Sequence, residues 1–478
     1  MSKKKLIALL ILIITYSIII YMGLRSPMLA LSLGIVVLIG FYFAVNPIID
    51  INKIIAFTIF FAPYSNTFVF KTSFADFRIL QLFWAFILLM LIIKSALSGS
   101  LKLRNINTSI IFVLYIVTIA LSACFAQNQK VAVREFLQFT YLLIITYVIM
   151  SRAEDYNFFK TCINAFVLSN ILFVICSLIS YVLGISLIPN ITLFQNGSLR
   201  IRFDMYQTQN LVESAEEIRR LSGISGLGPI GIANVILVQS FFINYKIREC
   251  TGFKRILFCI LLLLNFIVMV LTYSRLGMFI FVLLHAYTLI DRNHLKNFFI
   301  LLLIGLGFGV ILLRYPQIFL RLLESFNLEE GSTKYHFVFW IVAIRLGLRN
   351  VFTGIGLGGA KYSLEEFLDY FEKFNIYSTS DVDTHNLWLQ LWAEQGMLGL
   401  IVNNILIFVP LIYLIRWNIR HKSTNRTSIY LYVTNSYLAT LLYNLTSNNY
   451  YIEIFWMLLA LVYASKYHCE KKTTEKEL

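Results

Sequence analysis

The chain has 478 residues, a formal net charge of +15, 59% hydrophobic and 14% charged residues, and a mean hydropathy of +0.76. These values exclude a soluble globular domain, which runs at roughly 45–50% apolar and about 25% charged. The basic excess reads as loops beside anionic lipid, so membrane lipids are expected partners and nucleic acid is not.

Runs long enough to cross about 30 Å of hydrocarbon as helix recur along the whole chain. Fourteen are marked, near 6–23, 28–46, 54–70, 79–93, 109–124, 136–150, 161–184, 228–245, 256–273, 276–290, 298–314, 396–415, 428–446 and 450–464. The first follows Lys3-Lys4-Lys5 and lacks a small-residue cleavage site, so it is kept as a membrane span rather than a signal peptide. The expected class is all-α and polytopic, with about 14 transmembrane helices (range 12–14) in one integral-membrane domain over 1–478. With the amino terminus inside, the alternation places Lys94, Lys102, Arg104, Lys246, Arg248, Lys254, Arg255, Arg416, Arg420, Lys422, Arg426 and a tail at 465–478 in the cytoplasm. The short loops are then strongly inside-positive, and both termini are expected to be cytoplasmic. Arg78 and Arg134 fall near outer helix ends, where snorkelling is the favoured reading.

Two long polar stretches, 185–227 and 315–395, fall on the outer side, and both are expected to contain helices. Loops of this length are functional or disordered, which makes them the place to seek a site. In the second, Ser363 and Glu366 form a capping box ahead of an acidic run to Phe374. Thr384 or Asp383 is expected to cap a helix carrying His385, Trp388, Leu389 and Trp392, closed by Gly396 at a C′-like position. None of the six cysteines lies in either loop, so no disulfide framework is implied. No His or Cys cluster has zinc spacing, and no metal requirement is expected.

Arg220, Arg345 and His385 each precede a glycine by ten intervening residues, at Gly231, Gly356 and Gly396. Arg275 follows Thr272-Tyr273-Ser274 in a tight hairpin between two apolar runs. Each has a plain reading beside the functional one: a solvated basic face for Arg220 and Arg345, snorkelling for Arg275, and a satisfied interfacial imidazole for His385. Their conjunction on one side of the bilayer favours chemistry on a lipid-linked anion. The segment Gly354-Ile-Gly356-Leu-Gly-Gly formally satisfies a dinucleotide fingerprint, but no βαβ unit accompanies it, and nucleotide binding is rejected. A glycine-rich approach of backbone N–H groups to an oxyanion and a flexible turn both remain open.

At these residues the chain resembles the integral-membrane O-antigen polymerase and O-antigen ligase superfamily. The resemblance rests on Arg220-Leu-Ser-Gly-Ile-Ser-Gly-Leu-Gly-Pro-Ile-Gly231, on Thr-Tyr-Ser-Arg275-Leu-Gly, on Arg345 running to Asn350 and Gly354-x-Gly356, and on Thr-His385-Asn-Leu followed by Glu394-Gln-Gly396. It covers about 185–410. It implies a GT-C-like membrane glycosyltransferase that uses undecaprenyl-diphosphate-linked glycan, has no cofactor, and works with a polysaccharide chain-length regulator. The implied catalytic set is His385 as general base with Arg220, Arg275 and Arg345 on the diphosphate, and inversion at the anomeric carbon. Gly231, Gly354, Gly356, Asn386, Trp388 and Gly396 are the implied substrate-binding residues. Paired Arg-ten-Gly elements and fourteen spans favour a polymerase over a ligase acting on lipid A core or protein. A flippase is the alternative of a different class, disfavoured because ionisable groups gather in loops rather than at the bilayer midplane.

Overall fold

In hydrocarbon every backbone N–H and C=O must be bonded within its own segment, so the apolar runs fold as helices. The computed structural model describes residues 50–72, 76–98, 106–204, 206–210, 217–289, 331–360, 384–421 and 428–477. Its helices are α1 (Ile51–Phe61), α2 (Ile79–Ser98), α3 (Ile106–Cys124), α4 (Gln129–Arg152), α5 (Tyr156–Leu183), α6 (Pro229–Glu249), α7 (Gly252–Leu271), α8 (Arg275–Leu289), α9 (Gly331–Arg349), α10 (Leu387–Arg420), α11 (Ile429–Tyr443) and α12 (Glu453–Glu477). Among the described residues α4, α5, α6, α7 and α10 are long and apolar enough to cross a membrane, and shorter apolar helices cover Ile79–Ile93, Ile110–Cys124 and Arg275–Thr288. The protein is integral to the membrane and mostly helical. The expected spans at 6–23, 28–46 and 298–314 lie outside the described residues, as does the capping box at Ser363.

α6 is the central post, buried along most of its length against α5, α7 and α11. Polar ties hold the helices in register where apolar packing is not selective. The amides of Asn170 on α5 and Asn265 on α7 exchange hydrogen bonds of 2.7 and 2.9 Å, and Thr146 on α4 donates to the Trp456 carbonyl on α12 at 3.1 Å.

Two features depart from an all-α class. The run expected at 54–70 ends as helix at Phe61, continues as a 3₁₀ segment with Pro63 in its first turn, and leaves as strand β1 (Phe68–Lys71). The stretch 185–227, expected to be helical, carries strands β3 (Ile185–Phe194), β4 (Leu199–Asp204), β5 (Tyr206–Asn210) and β6 (Glu217–Leu221). The physical reason is visible in Leu199-Arg-Ile-Arg-Phe-Asp204, which alternates apolar and charged side chains with the period of a strand. With β2 (Asp76–Arg78) these form a four-stranded sheet of order β2-β1-β3-β4, parallel only between β1 and β3, and a separate β5-β6 hairpin.

The connections define two ends of the bundle. One gathers both sheets, the α3–α4 and α7–α8 turns, the segment 350–360 and the start of α10. At the other, the His468 imidazole donates to the Ala153 carbonyl at 2.9 Å and Arg248 donates to the Thr288 carbonyl at 3.3 Å.

Candidate active site

Arg220 sits on β6 opposite Gln207 of β5, and its Nε donates to the Thr272 carbonyl at 3.0 Å. Thr272 ends α7, where the exposed carbonyls form the negative pole of the helix, so a guanidinium is favoured there. The hairpin read from the sequence is present. Thr272 Oγ1 donates to the Met269 carbonyl at 2.6 Å and accepts from the Ser274 N–H at 3.2 Å, while Tyr273 takes a left-handed φ of +53°. Arg275 is the first residue of α8, half-buried, three positions after the carbonyl that holds Arg220.

Ser274 Oγ shares a 2.8 Å hydrogen bond with the Tyr443 hydroxyl at the end of α11. The next two residues receive the second arm of the site: the Leu387 N–H donates to the Asn444 carbonyl at 3.1 Å, and Asn386 Nδ2 donates to the Leu445 carbonyl at 3.0 Å. The helix cap expected from Thr384 or Asp383 is instead Asn386, whose Oδ1 accepts from the Leu389 N–H at 3.1 Å. An asparagine side chain at that position satisfies an orphan N–H of the first turn. Thr384 turns to Gln390, 3.2 Å from its Oε1, and Asp383 lies outside the described residues. Arg220, Arg275 and the start of α10 therefore meet around the Tyr443–Leu445 corner.

His385 precedes this cap with φ +48°, a conformation that non-glycine residues adopt only when neighbours enforce it. Its ring stands edge-on to His336 at 4.9 Å between centroids, with Phe339 at 6.4 Å, both from α9. His336 carries no motif signal in the sequence and is found only through the fold. Arg345 lies nine residues further along α9, half a helical turn round and about 13 Å along the axis, so it does not share the His336 face. It is exposed.

The glycines are packed against the protein's own backbone. The Gly354 N–H donates to the Asn350 carbonyl at 2.8 Å, Ile355 to Ala393 at 2.9 Å, and Gly356 to Glu394 at 3.1 Å. A Cβ at Gly354 would stand 2.4 Å from the Glu394 carbonyl carbon, and one at Gly356 would stand 2.2 Å from Ala126 Cα. Gly396 breaks α10 at φ +65° and ψ −168°, and there the Met397 N–H crosses to the Val351 carbonyl at 2.7 Å. A side chain of the protein itself fills the cradle. The Glu394 carboxyl group accepts from the Gly358 and Ala360 N–H groups, from Gln390 Nε2 at 3.3 Å and from the Tyr451 hydroxyl at 3.4 Å, and the residue is 2% exposed. Trp388 Nε1 donates across the break to Asn404 at 3.0 Å. Gly231 stands in the first turn of α6 beside the Leu227 side chain.

Arg78 does not snorkel alone. It pairs with Glu453 at 3.3 Å, the carboxylate fully buried at the start of α12. Beside it a cavity of about 470 Å³ runs between α2 and α4, lined by Arg78, Gln81, Arg134, Gln138 and Tyr451 among apolar side chains.

The turn that holds Arg220, all of α8 and α9, the glycine segment and the start of α10 fall in one stretch of sequence, and residues 260–403 match the family model described as O-antigen ligase. That stretch is similar to O-antigen ligases. No curated protein matches the chain. The stretch contains Arg275, Arg345, His385, Gly354, Gly356 and Gly396, whereas Arg220 and Gly231 precede it and Arg220 reaches it through Thr272. The match agrees with the resemblance to the polymerase and ligase superfamily and supports a reading as a membrane enzyme of the O-antigen ligase or polymerase type.

Proposed function

We propose that this protein is a polysaccharide polymerase of the bacterial inner membrane. Its substrate is undecaprenyl-diphosphate-linked oligosaccharide, and it works on the outer face with both termini cytoplasmic and about fourteen spans in a GT-C-like arrangement. The observation that carries the reading is the Arg220–Thr272 hydrogen bond, which joins the first long loop to the Arg275 turn, one tyrosine away from the residues that seat His385. The inside-positive bias of the short loops supports an outer location for that end of the bundle.

In the reaction the acceptor hydroxyl oxygen attacks the anomeric carbon of the donor while the carbon–oxygen bond to the diphosphate breaks. The hydroxyl proton passes to His385, and undecaprenyl diphosphate leaves with its negative charge met by Arg220, Arg275 and Arg345. Guanidinium suits this because its charge is permanent and its donors match phosphate oxygens in pairs. Attack opposite the leaving group inverts the configuration, and no metal is required in this scheme. Glu394 and the glycines around it hold the 350–360 segment against α10, the helix that begins beside His385. A polysaccharide chain-length regulator is the partner proposed for the assembled system.

The family description favours a second reading, transfer of the lipid-linked glycan to lipid A core. Purified protein in detergent, supplied with lipid-linked repeat unit alone, distinguishes the two. A ladder of lengthening products supports the polymerase. Product formed only when lipid A core is added replaces it with the ligase, and no product with either acceptor sinks both.

A further inference from the structure

The four-stranded sheet is segregated by face to a degree that the proposed reaction does not call for. The pairing register puts Leu199, Ile201 and Phe203 of β4 on one face with Ile191 and Leu193 of β3 and Phe68 of β1. The three β4 side chains are about half exposed or more, at 59%, 45% and 48%. The opposite face carries Arg200, Arg202, Thr192, Lys71 and Arg78 with Asp76, Asp204, Val69 and Phe194, and these line a groove of about 510 Å³ walled by residues 222–228. A sheet with a bare apolar face in water is an aggregation hazard, so something apolar covers this one.

The chain itself indicates what that is. β3 follows α5 directly through Gly184, whose left-handed φ of +71° turns the backbone from helix into strand. On α5, a candidate span, Leu168, Leu172, Ile175, Ile179 and Val182 recur at helical spacing and are all exposed, so this stripe faces lipid. It continues into the first residues of β3, Ile185 and Leu187, which are also exposed and precede the bulge that sets the register of the sheet. On the other face Lys71 pairs with Asp76 at 3.8 Å and Arg78 with Glu453, while the exposed Arg200 and Arg202 complement anionic headgroups, as basic residues do on interfacial amphipathic elements. We propose that the β1–β4 sheet lies in the membrane interface, its apolar face in the acyl chains of the leaflet that α5 enters and its basic groove level with the headgroups. The occupant is bilayer lipid. The sheet then keeps a polar trough at the depth where a lipid diphosphate rides.

The test uses full-length protein in nanodiscs of phosphatidylethanolamine and phosphatidylglycerol. Nitroxides are placed one at a time at positions 199 to 203 in a background free of the six native cysteines, and collision with oxygen is compared with collision with a polar nickel chelate. The expected ratio of oxygen to chelate accessibility is several-fold higher at 199, 201 and 203 than at 200 and 202. Equal ratios at all five positions overturn the proposal. So does protection from both reagents at the odd positions combined with spin–spin broadening that vanishes on dilution with unlabelled protein, which would make a second copy the cover. Should the cysteine-free background fail to fold, photoactivatable phospholipid applied to the unmodified chain gives the same reading. Label on Leu199, Ile201 or Phe203 supports the proposal, and label confined to the helices overturns it. Neither measurement uses glycan transfer, so failure of the polymerase reading leaves this result untouched.

Discussion

Replacing Gly396 with alanine separates a glycine that shapes the protein from one that approaches substrate. The residue sits at φ +65° and ψ −168°, a region essentially reserved for glycine, and a Cβ there would lie 2.3 Å from the carbonyl carbon and oxygen of Phe352 and 2.6 Å from Gly354 N. These neighbours are backbone and cannot swing aside. Strain of about 1–3 kcal/mol from the dihedrals and a further 1–3 kcal/mol or so from overpacking give a destabilisation of about 2–6 kcal/mol. Gly231→Ala is the internal control. Its Cβ would meet only the mobile end of Leu227 at 3.2 Å, inside a helix where alanine is preferred by up to about 1 kcal/mol. Thermal unfolding in detergent, followed by thiol-reactive dye or intrinsic fluorescence, should show Gly396→Ala melting well below wild type and Gly231→Ala at or above it. If Gly396→Ala melts with wild type while its turnover collapses, the glycine is serving a ligand, and the packing argument is refuted.

Arg220→Ala and Arg275→Ala should each lower turnover by on the order of 10²–10³, while Arg219→Ala and Arg349→Ala cost far less; equal losses at all four positions would leave only bulk charge as the cause. His385→Ala should lower turnover by on the order of 10²–10⁴ with KM little changed, and turnover equal to wild type would assign proton transfer to another group. Glu453→Gln should destabilise the fold by about 1–3 kcal/mol, below the figure for fully enclosed pairs because Arg78 is 29% exposed, and Arg78→Met combined with Glu453→Leu should recover much of the loss in unfolding measurements. Tyr451→Phe removes one donor from the buried Glu394 carboxyl group and should lower thermal stability by about 1 kcal/mol, with KM unchanged.

The helices and the 272–275 hairpin were legible because each depends on a contiguous stretch of composition. β4 was legible too, since Leu199 to Asp204 alternates with period two, and the helical expectation passed over that signal in favour of loop length. The pairing of β1 with β3 was not. It is set by Phe68 meeting Ile191, more than a hundred residues away, and nothing local announces it. The site divides in the same way. Arg275 and His385 stand in recognisable strings, whereas the Glu394 cradle draws its donors from Gly358, Ala360, Gln390 and Tyr451, and the neighbour of His385 is His336 on a different helix. In the glycine segment the sequence reveals permissive backbone but not what approaches it; here Ala126 and Glu394 do.

The parallel contact between β1 and β3 closes only after α2, α3, α4 and α5 have been threaded, and strands can pair only on the same side of a bilayer. An even number of crossings must therefore separate them. During biogenesis a single missed insertion among those four helices would strand the two partners in different compartments, leaving raw strand edges for quality control to detect. The small sheet thus works as a parity check on the topology of the first half of the chain.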